Sequence, residues 1–159
     1  METGIRFDAE GTFGRVVPFK LLPGADVYHS LVELCEKHKI QGGVILAAFG
    51  SLGEAHIKNP ITIPGAKYGA GYGDEEVYSF PMELTAANGL ICTREDGVIE
   101  PHIHISLSGR DGFAAGGHLC PGTKVLITIE GAIGEFKGVE MKKELDADRG
   151  IYTFRPITL

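Results

Sequence analysis

The chain has few of the features that mark nucleic-acid-binding or disulfide-bonded proteins. Its 15 basic residues are outnumbered by 21 acidic residues, the formal charge is −6, and the longest basic cluster is Lys142-Lys143. A protein of this charge repels a phosphate backbone on average, which argues against nucleic-acid binding by the domain alone. The three cysteines, Cys35, Cys92 and Cys120, are odd in number and far apart, so no disulfide framework is expected.

Long apolar runs are also missing. The longest, residues 44–49, is too short to cross a bilayer. The N-terminal stretch METGIRFDAEG has no basic region followed by an apolar one, so no export signal is predicted. We therefore expect a protein of the reducing cytoplasm that does not insert into membranes.

Glycine is the residue that the sequence has in excess. There are 23 glycines but only 8 prolines in 159 residues, and no repeat or linker is visible. This composition favours many tight turns and bulges, and therefore a strand-rich fold. The length fits a single domain over residues 1–159, with a folded core at about 13–155.

The hydrophobic pattern predicts one amphipathic helix among many strands. The helix begins after Asp26, a suitable N-cap, and ends near Ile40, with an apolar stripe formed by Val27, Leu31, Leu34 and Cys35. Strands are predicted at 13–22, 43–52, 76–85, 89–93, 99–108, 113–119, 123–133 and 151–155, with a long loop at 58–74. The fold class is therefore α+β, a mainly antiparallel sheet with one principal α-helix.

Three of the six histidines fall in the stretch EPHIHISLSGRDGFAAGGH, residues 100–118, which has the pattern of a β-hairpin. Side chains alternate between the two faces of a strand, so His102 and His104 lie on the same face. Whether His118 joins them depends on the hairpin register, because a slip of one residue moves a side chain to the opposite face.

The loop between the two strands sets this register. A three-residue loop at 110–112, a type I turn that ends on a left-handed glycine, places His104 directly opposite His118. A two-residue loop at 110–111 would instead place His118 opposite Ile103. A bulge at the Gly-Gly pair before His118 would change either pairing, but the turn residues favour the first register.

In the first register three imidazoles converge on one sheet face. Directly opposed strand positions are about 5 Å apart, which is close enough for His102, His104 and His118 to share one metal ion. Three neutral histidines with an open fourth position are typical of catalytic zinc, so zinc or another divalent transition metal is predicted. Cys120 would close the site into a structural one if it were a fourth ligand, but the Pro-Gly pair that follows favours the open form.

The alternative is that the hairpin histidines bind no metal and instead pack in the fold or contact solvent, as most strand histidines do. The other histidines do not lie in a pattern with further histidines and are interpreted as surface residues; they are His29, His38 and His56. If the metal site exists, Glu83 and Glu100 are the carboxylates best placed to accept hydrogen bonds from its rings.

Several motifs in the observed order resemble those of the plants and prokaryotes conserved domain, abbreviated PPC or PCC. They are KLLPGAD at 20–26, AFGSL at 48–52, YSFPMEL at 78–84, PHIHISL at 101–107 and AGGHL at 115–119. The resemblance extends over residues 13–155, and its most specific part is the His-x-His pair followed by Gly-Gly-His.

This resemblance implies a mixed, mainly antiparallel sheet with a packed helix, assembled as a homotrimer. It also implies that His102, His104 and His118 are ligands of zinc or a similar ion, and that Glu83 is a weak candidate for a catalytic residue. The loop at 65–73 would then be a lid over a site that binds or transforms a small polar ligand, as a hydrolase or lyase does.

A second hypothesis comes from the same resemblance. Plant members carry AT-hook segments of the type RGRP, and prokaryotic relatives are often labelled as predicted DNA-binding proteins. Here Arg155-Pro156 is the only Arg-Pro pair and lacks flanking glycines and basic residues, so DNA binding would act through partners. A third hypothesis is a purely structural trimer with vestigial histidines.

Overall fold

The computed structural model describes residues 4–5, 7–147 and 151–159. Within these ranges the chain forms one α-helix, one short 3-10 turn at Arg110–Gly112 and eleven strands. The helix and the strands are β1 Thr12–Leu21, α1 Val27–His38, β2 Gly43–Lys58, β3 Pro60–Thr62, β4 Ala70–Tyr72, β5 Glu76–Tyr78, β6 Met82–Arg94, β7 Ile99–Ser108, β8 Ala114–Leu119, β9 Lys124–Lys137, β10 Val139–Asp146 and β11 Ile151–Thr158. None of the described helices is long and apolar enough to cross a membrane.

Nine of the described strands form one sheet, in the order β1-β9-β2-β8-β7-β6-β10-β11, with β5 paired to β2. Strand β2 also pairs with β6, so β2, β8, β7 and β6 form a closed ring of hydrogen-bonded strands. The β10–β6 pair is parallel, whereas the other pairs in this sheet are antiparallel. The predicted α+β class, with a mainly antiparallel mixed sheet and one principal helix, is confirmed.

Helix α1 begins and ends as its sequence predicts. The Asp26 side chain accepts a hydrogen bond from the backbone N–H of His29 at 3.1 Å, which caps the first turn. The helix ends at Lys39, whose left-handed φ of 56° lets its N–H bond the last carbonyls. The apolar stripe is buried in the main core together with strand residues, among them Leu52, Ile57, Leu84, Ile103, Leu119, Ile129 and Ile133.

The strands are longer than the sequence predicts. Strand β2 continues to Lys58 rather than ending at residue 52, and a single strand, β6, covers the predicted strand at 89–93 together with part of its predecessor. Both continuations contain polar residues and glycines that weaken a strand pattern. Both segments remain strands because each has hydrogen-bonded partners on both sides. Strand β2 lies between β9 on one side and β6 or β8 on the other, and β6 lies between β2 and β7.

Two other regions differ from the prediction. The predicted loop at 58–74 contains the small hairpin formed by β3 and β4. Strand β10 has no counterpart among the predicted strands, because its sequence VEMKKELD is rich in charged residues. Its backbone is nevertheless fully paired with β11, and it touches β6 at Lys142 and Lys143. Ladder pairing here overrides local propensity.

Candidate metal centre

The hairpin of β7 and β8 adopts the register that brings the histidines together. His104 lies directly opposite His118, and the ladder continues to Ser108 opposite Ala114. The backbone N–H of Gly109 donates to the Phe113 carbonyl at 3.0 Å, which leaves a three-residue loop. The predicted pairing of His104 with His118 is confirmed.

The turn itself differs in conformation from the predicted type I turn. Asp111 has φ 58° and Gly112 has φ 78°, so both residues are left-handed. The Phe113 N–H then donates to the Arg110 carbonyl at 3.1 Å. Aspartate tolerates this conformation better than most residues, and glycine adopts it freely, so the Asp-Gly pair supplies the observed turn.

The three imidazole rings converge on one face of the sheet. Ring centroids are 5.3 Å apart for His102 and His104, 5.1 Å for His102 and His118, and 5.6 Å for His104 and His118. One ligating nitrogen from each ring can be chosen so that all lie within 4.8 Å of one another. The Nε2 atoms of His102 and His104 are 3.3 Å apart. This is the spacing of donors around one ion rather than of independent surface side chains.

Burial and mutual proximity favour the neutral form of His102 and His118. The pKa of His118 is lowered to about 4, mainly by burial and then by the charges of the other two histidines when protonated. Burial, followed by His104, also lowers the pKa of His102. A neutral imidazole presents a lone pair, which is the form that binds a metal ion. At neutral pH His102 and His118 are therefore in the form that binds a metal ion.

One polar atom of the cluster lacks a partner. Among the described residues, the Nδ1 atom of His118 is the buried side-chain polar atom without a hydrogen bond. A buried donor or acceptor left unpaired costs free energy unless a bound group satisfies it. Together with the convergence of the three rings, this unpaired nitrogen fits a divalent transition metal.

The other residues expected near the site lie elsewhere or have other partners. The Sγ of buried Cys120 donates to the His118 carbonyl at 3.7 Å, and Cys120 is not part of the three-histidine group. Glu100 accepts a hydrogen bond from Lys143 Nζ. Glu83 is exposed and lies opposite Ser108, further along β7 than the histidines. No hydrogen bond joins Glu83 or Glu100 to the three rings among the described residues.

Two residues that the sequence does not single out flank His118. Lys58, at the end of β2, lies directly opposite His118 in the β2–β8 pair. The ring of Tyr72, at the end of β4, is 5.9 Å from that of His118 and tilted by 55°. Tyr72 belongs to the loop at 65–73 that the sequence analysis predicts as a lid. The position of Lys58 could not be predicted, because no local signal in the sequence pairs β2 with β8.

The side chain of Asn59 fixes the β3–β4 hairpin in this place. Its Nδ2 donates to the Gly116 carbonyl at 2.9 Å and to Glu76 Oε1 at 3.1 Å. The Asn59 carbonyl accepts from the Gly73 N–H at 2.9 Å. The segment between β2 and β5 is therefore tied to β8 next to His118.

His56 is not the surface residue that the sequence suggests. Only 17% of its side chain is exposed, its Nδ1 is 2.5 Å from Glu75 Oε1, and its Nε2 is 2.6 Å from Glu54 Oε1. The hydrogen bond to Glu54, followed in size by the one to Glu75, raises the pKa of His56, because a charged imidazolium can donate to both carboxylates. We call these three side chains the His56 clamp. The prediction missed it because Glu75 lies 19 residues further along the chain, beyond the β3–β4 hairpin.

His29 agrees with its interpretation as a surface residue. Its side chain is 62% exposed, and its Nδ1 is 3.2 Å from Asp26 Oδ1. The backbone carbonyl of His38 accepts a hydrogen bond from Arg15 at 2.8 Å. Neither histidine belongs to the three-histidine group.

Comparison with known families and sequences gives two findings. The family model of the Plants and Prokaryotes Conserved (PCC) domain matches residues 8–137. A bifunctional protein GlmU from Synechococcus sp. (strain JA-3-3Ab) is 29% identical over 136 residues, which is 86% of this chain but 20% of that protein. The chain therefore spans about a fifth of the length of this curated relative.

Solved structures share the fold over most of the chain. A metal-containing protein from Archaeoglobus fulgidus has a TM-score of 0.78 and 23% identity, covering 94% of this chain and 98% of its own. A protein from Ralstonia eutropha JMP134, whose name proposes DNA binding, has a TM-score of 0.71 and 20% identity, covering 86% of this chain and 88% of its own. At these identities the likeness establishes the fold.

Proposed function

The chain belongs to the Plants and Prokaryotes Conserved (PCC) domain family, and we propose that it is a homotrimeric metal-binding protein. Its site binds zinc or another divalent transition metal through His102, His104 and His118, and binds or transforms a small polar ligand. The observation that carries this proposal is the convergence of three imidazoles with ligating atoms within 4.8 Å of one another.

The donor set determines what the site can do. Imidazole nitrogens suit zinc and neighbouring transition metals, whereas calcium and magnesium prefer oxygen ligands. A zinc ion with three protein ligands keeps a position for water or substrate, where it acts as a Lewis acid. In this proposal the chain's own residues hold the rings in place through the β7–β8 ladder, and the hairpin with Tyr72 covers His118.

The Archaeoglobus relative supports the metal because its name describes it as metal-containing. Its identity to this chain is low, so the support concerns the fold and not the individual ligands. Cys120 stays outside the donor set in this proposal, because its Sγ donates to the His118 carbonyl and it is not part of the three-histidine group.

The homotrimer is supported by apolar side chains on the outer face of β1, β9 and β2. Ile127 is 67% exposed, Phe13 61%, Phe49 53% and Leu46 46%. Phe13 and Leu46 pack around Gly134, where a Cβ atom would lie 2.9 Å from Phe13. Large apolar side chains exposed together on neighbouring strands are typical of an interface, and further copies of this chain are the proposed occupants. Light scattering after size exclusion tests it, with a mass near three chains expected.

Elemental mass spectrometry tests the metal site. Protein purified without an affinity tag or chelator should carry about one transition metal per chain, as a structural or catalytic site requires. His102→Ala and His118→Ala should both lose it. His29→Ala changes an exposed histidine outside the group and is the matched control, which should keep its metal. An absence of metal in the unchanged protein, or retention in both site variants, would contradict the proposal.

A second candidate is a DNA-associated module, favoured by the proposed DNA binding in the name of the Ralstonia protein. The formal charge of −6 makes direct binding weak, so partners would supply the affinity. Fluorescence anisotropy with duplex DNA at low salt tests it, because binding through phosphate contacts weakens steeply as salt is added. An unchanged anisotropy at low salt would remove direct binding.

The reducing cytoplasm is the proposed location. Cys35, Cys92 and Cys120 are buried and none forms a disulfide. Burial also raises the pKa of Cys35 to about 12 and that of Cys92 to about 11, so these two thiols stay protonated. Free cysteines of this kind are typical of reducing compartments.

A further inference from the structure

We propose that the ligand of the three-histidine site is a small anion carrying a carboxylate or phosphate group, anchored by the ammonium group of Lys58. This inference rests on the proposed function, because it concerns the ligand of the same metal site. It narrows a small polar ligand to a negatively charged one.

Lys58 lies on the face of the sheet that carries the histidines. It is directly opposite His118 in the β2–β8 pair, and directly opposed side chains of an antiparallel pair project to the same face about 5 Å apart. The ammonium group is therefore near the ligating nitrogens.

A glycine makes this close approach of the backbones possible. A Cβ atom at Gly117, beside His118, would lie 2.9 Å from the Lys58 carbonyl and 2.8 Å from Asn59 Oδ1. Any larger residue would push the end of β2 away from β8. The packing at Gly117 therefore holds Lys58 next to His118.

Lys58 is a half-buried cation without a carboxylate partner among the described residues. The other lysines around the site are paired, since Lys143 binds Glu100 and Lys124 binds Asp26. A partly desolvated ammonium group without a counter-ion is unfavourable. Such a group is explained if a bound anion completes its environment.

The nearby carboxylates are already engaged. Glu75 accepts a hydrogen bond from His56, and Glu76 accepts hydrogen bonds from Asn59 and Tyr78. The three histidines are neutral ligands, so they leave the charge of a divalent ion uncompensated. A divalent ion together with Lys58 gives this face a strong local positive charge, and an anionic ligand is the complement that binds it.

The hairpin limits the size of that anion. The ring of Tyr72 lies 5.9 Å from the ring of His118, and Asn59 ties the segment to Gly116. A ligand that reaches both the metal position and Lys58 must fit between this hairpin and the β7–β8 face. Small carboxylates and inorganic phosphate meet this requirement, and both share the oxyanion chemistry that Lys58 recognises.

Cobalt substitution tests the inference without an activity assay. Protein loaded with Co²⁺ is titrated with acetate, inorganic phosphate and the neutral analogue acetamide, while its visible absorption is recorded. We expect saturable spectral changes with acetate or phosphate and none with acetamide. Lys58→Met should lower the affinity for the anion that binds by about tenfold or more, while the Co²⁺ content stays unchanged. Lys58→Arg should restore most of the affinity.

Lys37→Met is the matched control, since Lys37 is an exposed lysine on α1 outside the site. If acetate alone changes the spectrum, the ligand class is carboxylate, and if phosphate alone does, it is phosphate. Spectra insensitive to both anions in a protein with one bound Co²⁺ would overturn the inference and leave the metal centre intact. Equal binding of acetamide, or no effect of Lys58→Met, would also overturn it. A protein that binds no Co²⁺ would instead overturn the proposed function.

Discussion

The His56 clamp makes a quantitative prediction about stability and pH. His56 is held between Glu54 and Glu75, with ring nitrogens 2.6 and 2.5 Å from the two carboxylates. One face of the ring lies against Gly122, where a Cβ atom would be 2.9 Å from the ring. Replacing His56 by glutamine removes both charge-assisted hydrogen bonds and keeps most of the side-chain volume.

The size of the effect follows from burial. A hydrogen bond to a charged group contributes about 1.5 to 3 kcal/mol when buried. The two glutamates are 42% and 37% exposed, so solvent screens both bonds, and about 1 kcal/mol each is the reasonable estimate. His56→Gln should therefore lower the free energy of unfolding by about 2 kcal/mol, or Tm by about 4 to 8 °C for a chain of this length.

The pH dependence has a definite sign. The folded-state pKa of His56 is raised above 6.5, so its stabilisation is complete below the unfolded-state pKa and is lost as pH rises through the folded-state value. The stability difference between the unchanged protein and His56→Gln should therefore be largest near pH 6 and shrink towards alkaline pH. Cys120 does not interfere in the neutral range, because its thiol pKa is also raised.

Urea denaturation at a series of pH values measures this difference. His29→Gln is the control, since His29 is 62% exposed and outside the clamp. Glu75→Gln should lose about 1 kcal/mol and increase hydrogen exchange in the β3–β4 hairpin that precedes it. A stability difference for His56→Gln that stays constant from pH 6 into the alkaline range would refute the reasoning, because it would mean that His56 is not charged in the fold.

Three further predictions concern other parts of the chain. Glu135 is buried, and its pKa is lowered to about 2, mainly by the hydrogen bond from Arg15. The free energy of unfolding should therefore fall as pH drops from about 4.5 towards 2. Glu135→Gln should make this fall less steep in an acid titration followed by circular dichroism. Gly89→Ala would place a Cβ atom 2.1 Å from the His102 carbonyl, so it should destabilise the fold by about 2 kcal/mol and reduce metal content in elemental analysis. Cys120→Ser should leave the metal content unchanged, and loss of the metal would show that the thiol is a ligand after all.

Local sequence signals are sufficient to predict that the three histidines share one face of a hairpin, but not which other residues lie beside them. His102, His104 and His118 belong to one hairpin, whose register follows from alternation and loop length. Lys58 and His56 reach the same region through β2, and pairing between distant strands leaves no mark in a short window of sequence. The missed strand β10 has the same origin, because its charged residues are held by backbone ladders and not by an apolar pattern.

The location of His102, His104 and His118 in one hairpin bears on the order of folding. A hairpin closes in microseconds because its strands are adjacent in the chain. Strand β2, in contrast, must find β9 and β8, and pairing of distant segments slows folding. We expect the β7–β8 hairpin to form early and the ring of strands to close late. Under the proposed function, an ion that meets the chain during synthesis can bind the histidines before the ring of strands closes, so metal uptake would need no entry channel through the finished fold.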